Sequence, residues 1–134
     1  MRFTVAASVI LLTAGVVHAR PAEDPKVAEA RQHYESGLAR YNLKEYKAAI
    51  EEFEAAYRLK PDPVFLYNLG QAYRLADDPE QALHFYRAYL RERPGASNRK
   101  DVEERVGQLE EVIAAKKTAA QPPDHTLAPE TTPA

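Results

Sequence analysis

Residues 67–73, with the sequence Tyr-Asn-Leu-Gly-Gln-Ala-Tyr, lie in the second copy of a 33-residue unit that the chain carries twice. Gly70 in this stretch corresponds to Gly37, and Pro94 corresponds to Pro61 at the same separation. The other pairs in this register are Tyr34 and Tyr67, Ala39 and Ala72, Ala49 and Ala82, Ile50 and Leu83, and Phe53 and Tyr86. A fixed period in the range of about 20–50 residues is typical of stacked repeat proteins.

Each unit divides into two amphipathic helices, because its apolar residues recur at steps of three and four. Asp-Pro dipeptides at residues 24–25, 62–63 and 78–79 predict three helix starts, since aspartate is a good N-cap and proline fits the first turn. We expect the first helix to begin at residues 24–25 and to be followed by a turn at residues 42–44. The next three helices are predicted near Glu45–Lys60, Pro63–Leu75 and Pro79–Arg91. The apolar stripe of the last is Ala82, Leu83, Tyr86, Tyr89 and Leu90.

Gly37 and Gly70 lie in the middle of predicted helices, where glycine costs about 1 kcal/mol relative to alanine. Their recurrence suggests that the backbone of a neighbouring helix comes too close for a side chain. Alanines are then the matching small residues on the second helix, and the aromatic residues one turn further should fill the space beyond the contact. The residues predicted to pack the repeats or to end their helices are Gly37, Ala49, Phe53, Pro61, Gly70, Ala82, Tyr86 and Pro94.

A fifth helix is predicted near residues 97–117, after the break at Pro94-Gly95. It is charged on all but one face, which suits a helix that covers the end of a repeat array. The alternative is the first helix of an incomplete third unit, with Gly107 as its close-contact glycine. Its predicted buried residues are Val102, Val106, Leu109, Val112 and Ile113.

Residues 118–134 are rich in proline, alanine and threonine, and they contain too few apolar residues for a core. We expect a disordered tail that serves as a linker, with a recognition peptide as the alternative.

The repeated residues resemble the tetratricopeptide repeat, over about half of the chain. The resemblance implies an all-α fold in which two helical hairpins and a capping helix stack as a short right-handed solenoid. The period is one residue shorter than the usual ~34. The expected organisation is a helical domain at residues 20–117, with repeats at about 30–62 and 63–95 and the capping helix at about 97–117. The residues that carry the resemblance are Tyr34, Gly37, Tyr46, Ala49, Ile50, Phe53, Ala56 and Pro61, then Tyr67, Asn68, Leu69, Gly70, Gln71, Ala72, Tyr73, Ala82, Leu83, Tyr86 and Pro94.

Residues 1–19 have the pattern of a secretory signal peptide. Arg2 supplies a positive charge, residues 3–17 form an uncharged apolar run, and Val17-His18-Ala19 places small residues before a cleavage site. The run is shorter than the ~20 residues that span a bilayer. The mature protein is therefore expected to begin at Arg20 and to be exported, with the periplasm as the expected compartment. The alternative is an uncleaved N-terminal membrane anchor.

The composition excludes several classes of function. The chain has no cysteine, which removes disulfides and thiolate metal sites, and its net charge of −2 lacks the basic footprint of a nucleic-acid-binding protein. Glu80 and His84 are one helical turn apart, but a catalytic zinc needs three protein ligands. No glycine-rich phosphate loop or nucleophile elbow is present in the sequence. We therefore predict no enzyme activity, no metal or other cofactor, and no small-molecule substrate.

In proteins that resemble this repeat, the first helix of each unit lines a concave groove that holds a peptide or a partner helix. The matching residues are Arg31, Tyr34, Leu38 and Tyr41 in the first unit and Tyr67, Asn68, Gln71 and Arg74 in the second. Tyrosine and arginine are enriched where protein interfaces are strongest. The resemblance also includes clamps for a C-terminal carboxylate. Tyr34 stands where such a clamp has lysine, which disfavours that function here.

These groove positions have alternative interpretations. Tyr34, Leu38, Tyr41 and Tyr67 are apolar enough to pack between helices instead of facing a partner. Gln71 and Arg74 are too polar for a core and are expected to be exposed. The amide of Asn68 is a candidate to hold the backbone of an extended partner.

The expected function is a non-catalytic adaptor or scaffold of the bacterial cell envelope that binds another protein. The alternative is a self-assembling structural protein whose repeats form a homo-oligomer, in which the groove holds a second copy. A weaker alternative is an accessory to an enzyme that uses His84.

Overall fold

The computed structural model describes residues 22–121, which form five helices and, within this range, no strand. Neighbouring helices in the chain pack against each other, and contacts between α2 and α3 and between α4 and α5 join the hairpins into one stack. The predicted all-α repeat solenoid is confirmed. The helices are α1 (Pro25–Asn42), α2 (Tyr46–Leu59), α3 (Pro63–Leu75), α4 (Pro79–Glu92) and α5 (Arg99–Ala120). Across residues 22–121, every helix is too short or too polar to cross a membrane.

The helix boundaries follow the sequence signals closely. Each Asp-Pro dipeptide begins a helix, and its aspartate caps that helix through the side chain. The capping bonds are donated by Lys26 N to Asp24 at 2.9 Å, by Val64 N to Asp62 at 3.0 Å and by Gln81 N to Asp78 at 3.1 Å. Pro61 and Pro94 each lie two residues beyond the last helical residue of α2 or α4. Both prolines are exposed, so they end helices and contribute little to packing between repeats.

The repeat extends into the turns. Lys44, just after α1, has a φ of 62°. Asp77, just after α3 and one period later, has a φ of 61°. The backbone of both residues is therefore in the left-handed conformation, which residues other than glycine rarely adopt. The two hairpins thus share one turn geometry although their turn sequences differ.

The close contact at each mid-helix glycine is made by an aromatic ring, and the expectation of a neighbouring backbone was wrong. A Cβ atom at Gly37 would lie 2.5 Å from Phe53 Cε1, and one at Gly70 would lie 2.7 Å from Tyr86 Cδ1. Phe53 and Tyr86 are fully buried, so each ring occupies the volume that its glycine leaves free instead of the space beyond it. Ala49 and Ala82 are also fully buried on the second helix of each hairpin.

Tyr73 on α3 makes a polar contact with α2 and a ring contact with α4 that the apolar stripes do not predict. Tyr73 Oη donates to Glu54 Oε1 at 2.9 Å, and the Tyr73 ring stacks on Phe85 with centroids 5.4 Å apart and an interplanar angle of 8°. Burial raises the pKa of Tyr73 to about 12, with the Glu54 carboxylate acting in the same direction. Phe85 lies outside the predicted stripe of the fourth helix, yet it packs against both core clusters.

α5 differs from its prediction at both ends and in one buried residue. It begins at Arg99 and continues to Ala120, so residues 118–120 are helical and do not belong to the predicted tail. Val102, Leu109 and Ile113 are buried, whereas Val112 is 43% exposed. Residues 1–21 and 122–134, with the predicted signal peptide and the rest of the tail, lie outside the described residues.

Gly107 on α5 does not repeat the glycine contact of the two hairpins. Apart from the backbone of α5 itself and the chain neighbours of Gly107, no atom of residues 22–121 lies within 4 Å of the position that a Cβ would take there. α5 is instead held by its apolar face and by ion pairs with residues of the preceding repeat. Arg87 Nη2 lies 2.5 Å from Glu110 Oε1, and Lys116 Nζ lies 3.2 Å from Asp77 Oδ1.

Candidate functional site

The candidate site is the groove between α1 and α3, which we define by four matched positions on each helix. On α3 these positions fall at steps of three, four and three, so they form one row along the helix. The row is about 15 Å long, given the helical rise of ~1.5 Å per residue. The groove residues are Arg31, Tyr34, Leu38 and Tyr41 on α1, and Val64, Tyr67, Gln71 and Arg74 on α3.

Tyr67 is half-buried and packed between aromatic rings of α4. Its ring centroid lies 6.1 Å from that of Tyr86 and 5.4 Å from that of Tyr89. Its hydroxyl accepts a 3.0 Å hydrogen bond from Gln71 Nε2. The two alternatives from the sequence therefore both describe part of Tyr67: one side of the ring packs on α4, and the remaining surface is accessible in the groove.

Gln71 lies at the centre of a polar network on the groove floor. Besides the bond to Tyr67, its Oε1 accepts from Tyr86 Oη at 2.6 Å and from Arg74 Nη2 at 3.4 Å. The expectation of exposure was wrong for Gln71 and Arg74, since both are half-buried. Gln71 can be buried because its oxygen and its nitrogen both have partners.

Arg74 has the least satisfied polar group in this network. Its Nε is buried and has no hydrogen-bond partner. Arg74 also forms no ion pair with any carboxylate of residues 22–121. Burial raises the pKa of Tyr86, and the positive charge of the nearby Arg74 guanidinium acts in the opposite direction. The Arg74 cation therefore lies beside the buried hydroxyl of Tyr86.

Asn68 is less available than the sequence suggests. Its Nδ2 donates a 3.0 Å hydrogen bond to the Val64 carbonyl, one turn earlier in the same helix. One of its two amide hydrogens is therefore already engaged within α3. Val64, which the sequence analysis did not select, lies beside it and is 40% exposed. Its counterpart one period earlier is Arg31, which is a predicted groove residue. This match could have identified Val64 as a groove residue from the sequence.

The α1 side of the groove is more apolar than the α3 side. Tyr34 lies between two phenylalanine rings, with centroids 6.1 Å from Phe53 and 5.4 Å from Phe65. Leu38 packs against the cluster that contains Phe53. Arg31 is exposed and paired with Glu23, with Arg31 Nη2 2.8 Å from Glu23 Oε2. These residues offer contact area and one neutralised charge.

Tyr41 stands on α1 at the position that Arg74 has on α3. Its ring packs edge-on against Tyr46, with centroids 5.6 Å apart. Burial raises the pKa of Tyr41, and the Arg74 charge acts in the opposite direction. A neutral hydroxyl and a cation thus lie near each other at this end of the groove.

Two shallow cavities meet at Val64. The first, about 290 Å³, lies between α1 and α3 and is lined by residues that include Arg31, Tyr34 and Phe65. The second, about 220 Å³, is lined by Val64, Tyr67, Tyr89, Arg93 and Asn98. Both are open to solvent, as a surface that receives a chain segment requires.

α5 carries a cavity of its own that is lined by polar and charged side chains. A third cavity of about 260 Å³ is lined by Asp101, Glu104, Arg105 and Gln108. A further cavity, about 470 Å³, lies elsewhere, around residues 44–48 and Ala76 at the hairpin turns. Its charged lining residues are all exposed, so it lacks the fixed polar groups that the groove possesses.

The side chains brought together here do not suggest catalysis. Within residues 22–121, no three histidine, cysteine or acidic side chains cluster closely enough to hold a metal ion. His84 packs edge-on against Phe85, with ring centroids 5.1 Å apart. A base next to a nucleophile, which acyl or phosphoryl transfer would need, is not found around His84 in this part of the chain.

Comparison with known proteins agrees with this geometry. Residues 34–97 match the sequence model of the family described as tetratricopeptide repeat. Residues 34–97 are therefore similar to tetratricopeptide repeats. The match begins within α1 and ends in the loop before α5, so it covers both glycine–aromatic contacts. Tetratricopeptide repeats generally mediate protein–protein interaction. No curated protein matches the sequence.

Proposed function

We propose that this protein is a non-catalytic adaptor or scaffold that holds a peptide or a partner helix of another protein in the groove between α1 and α3. The observation that carries the proposal is the row formed by Tyr67, Gln71 and Arg74. These side chains are half-buried, and hydrogen bonds connect them in the absence of a partner. Groups fixed in advance lose less conformational freedom on binding, which favours affinity.

The composition of the groove supports the same proposal. Tyr34, Tyr41 and Tyr67 supply rigid rings with polar ends, and Arg74 supplies planar donors. Residues of these types contribute most of the binding energy in measured interfaces. The cavities at Val64 provide recesses for the partner's side chains.

The cellular setting that we propose is the bacterial cell envelope. The proposal rests on the signal-peptide pattern of residues 1–19, with cleavage before Arg20 and release into the periplasm. Retention by an uncleaved N-terminal anchor is the alternative. An exported adaptor without cysteine would not depend on the redox state of its compartment.

The experiment is capture of partners from envelope extract by the mature protein, with partners identified by mass spectrometry. The test variant carries Tyr67→Ala and Arg74→Glu, which remove the central ring and reverse the nearby charge. We expect loss of at least about thirtyfold in affinity, because each such anchor commonly contributes ~2 kcal/mol or more. Unchanged capture by this variant, with its helicity intact by circular dichroism, would show that the groove is not the site.

The matched control is Arg91→Glu. Arg91 lies in the last turn of α4, is exposed, and has no side-chain hydrogen bond or ion pair with another described residue. This variant therefore makes the same charge reversal as Arg74→Glu, but at a position outside the groove. Glu52, which from sequence alone looks like a neutral control position, is unsuitable. Its Oε2 forms a 2.7 Å hydrogen bond with His33 Nδ1, and this bond links α1 to α2.

Self-assembly of the repeats into a homo-oligomer is the competing function. It has less support, because the groove is lined by a mixture of polar and aromatic side chains. A surface for self-assembly would be expected to present a broad apolar face. The two functions differ in one simple property, the mass of the mature protein as a function of its concentration.

A further inference from the structure

Arg74 differs from the other arginines of residues 22–121 in its surroundings. Five of them, Arg31, Arg40, Arg58, Arg87 and Arg99, pair with a glutamate. Arg91 and Arg93 have no such pair but are exposed to water. Arg105 is half-buried and unpaired within this range, but it has no buried nitrogen that lacks a partner. Arg74 is half-buried, has no carboxylate within 4.0 Å among these residues, and has a buried Nε without a partner. A cation that has lost water without gaining an anion is costly.

A second half-buried arginine lies outside the groove, on α5. Arg105 on α5 pairs with no carboxylate of the described range either. Its charge acts on the hydroxyl groups of both Tyr41 and Tyr86, where it opposes the increase in pKa that burial causes. The acidic residues of α5 are exposed, and one of them, Glu104, accepts from Gln108 Nε2 at 3.3 Å. Two cations, Arg74 and Arg105, therefore act on the hydroxyl groups of Tyr41 and Tyr86.

We propose that the segment bound in the groove is an extended peptide of a partner protein, with an acidic side chain that pairs with Arg74. This inference rests on the function proposed above and specifies its ligand. The row from Val64 to Arg74 is about 15 Å long, which matches four to five extended residues at ~3.3 Å each. An apolar side chain of the peptide would enter the recess at Val64, and the carboxylate would accept from Arg74 at the other end.

The carboxylate supplies what Arg74 lacks. Arginine and a carboxylate form two parallel hydrogen bonds when their planes align, and the partly dry site strengthens them. The buried Nε gains its missing acceptor in the same step. The hydrogen bond from Arg74 to Gln71 is long, at 3.4 Å, so little is lost if the guanidinium turns toward the ligand.

The test is selection of binders from a library of random displayed peptides with the mature protein. We expect the selected peptides to share an aspartate or glutamate at one fixed distance from an apolar residue. Replacement of that acid by its amide should weaken binding by about tenfold or more, as for a charged hydrogen bond. The Arg74→Glu protein should select lysine or arginine at the same position. Arg91→Glu should select the same peptides as the unchanged protein.

Four other results are informative. If Tyr67→Ala abolishes binding but the peptides show no acidic residue, or Arg74→Glu leaves their preference unchanged, this inference is wrong and the proposed groove function stands. If Tyr67→Ala binds the selected peptides equally well, both are wrong. If no form selects a peptide, this inference is wrong, and the binding of a partner helix stands as the proposed function. If only a protein that ends at Gln121 selects acidic peptides, the occupant is the chain's own segment 122–134, which contains Asp124 and Glu130.

The Arg74→Gln variant distinguishes an effect of Arg74 on folding from an effect on peptide recognition. This variant keeps a polar side chain of similar reach and removes the charge. We expect its melting temperature to equal or exceed that of the unchanged protein, because no partner within residues 22–121 depends on the charge. A lower melting temperature together with unchanged peptide selection would assign Arg74 to support of the fold and overturn the inference.

Discussion

Tyr86 donates a 2.6 Å hydrogen bond to Gln71, and both residues are replaced by apolar ones one period earlier. The corresponding pair in the first repeat is Phe53 and Leu38, which lie in the same core cluster. The two repeats therefore solve one packing problem in two ways. A hydroxyl in the second repeat is matched by an amide, and neither polar group occurs in the first.

This relationship predicts strong coupling between Gln71→Leu and Tyr86→Phe. Gln71→Leu alone leaves the buried Tyr86 hydroxyl without its acceptor, which costs about 1–3 kcal/mol. Tyr86→Phe alone should cost about 0.5–1.5 kcal/mol for one lost hydrogen bond. The double variant removes both polar groups, as in the first repeat, so its cost should fall at least ~1 kcal/mol below the sum. Urea unfolding of the four proteins measures this cycle, and simple additivity would contradict it.

Gly70 and Gly107 predict opposite effects of the same substitution. At Gly70 a Cβ would approach the buried Tyr86 ring to 2.7 Å, so Gly70→Ala should destabilise by about 1–3 kcal/mol despite the better helix propensity of alanine. At Gly107 the Cβ would meet open space in the interior of α5. Gly107→Ala should therefore stabilise by about 0.5–1 kcal/mol. Thermal unfolding of both variants decides this, and a shift of the same sign in both would refute the assigned contacts.

The helical framework could be predicted from the sequence because its signals are local. Asp-Pro pairs set three helix starts, and the prolines after α2 and α4 mark two helix ends, where the backbone conformation depends on adjacent residues. The identity of the atoms at Gly37 could not be predicted in the same way. A small residue indicates a close approach, but a ring and a backbone require the same empty volume.

The candidate site shows where sequence patterns stop being sufficient. Periodicity placed Tyr67, Gln71 and Arg74 on one helix face, and the structure brings them together. Their half-burial depends on α4, which contributes the Tyr86 hydroxyl from a distant part of the sequence. Residue polarity alone therefore predicted exposure for Gln71. Phe85 was missed for a related reason, since its stacking partner Tyr73 belongs to another helix.

Tyr73 predicts a loss of stability at alkaline pH. Burial raises its pKa to about 12 in the folded protein, compared with about 10 in an unfolded chain. Below pH 10 both states keep the proton, so the stabilisation is complete. Between pH 10 and 12 only the unfolded state loses it, and the free energy of unfolding should fall, by at most about 1.4 kcal/mol per pH unit for one proton.

The measurement is urea unfolding at several pH values between 8 and 12, with Tyr73→Phe as the comparison. This variant keeps the ring that stacks on Phe85 and lacks the titrating group. We expect the difference in stability between the two proteins to shrink above pH 10. Parallel curves over the whole range would show that Tyr73 does not contribute to the alkaline transition.

Export predicts a defined N-terminus. The mature protein should begin at Arg20 and should be recovered with the soluble part of the cell envelope, since the apolar run of residues 3–17 is too short for a typical span. Intact mass measurement and cell fractionation test both points. Ala19→Arg should block cleavage, because a small residue is needed at that position. An intact chain in the membrane fraction would favour the anchored alternative.

α5 predicts that the mature protein is a monomer. In the alignment that matches Gly107 with Gly70, Glu103 and Glu110 take the places of Leu66 and Tyr73. Leu66 and Tyr73 pack against α4 from α3. Acidic residues therefore occupy the places where a following helix would need apolar ones, and the open surface at Gly107 is unsuited to another helix.

Sedimentation at several concentrations should thus give one mass, that of a single mature chain. A protein that ends at Gly95 should behave differently, because it exposes the apolar surface that Val102 and Leu109 cover. We expect it to lose stability and to self-associate as its concentration rises. If the mature protein with α5 already increases in mass with concentration, the repeats assemble with one another, and the self-assembling structural function replaces the adaptor.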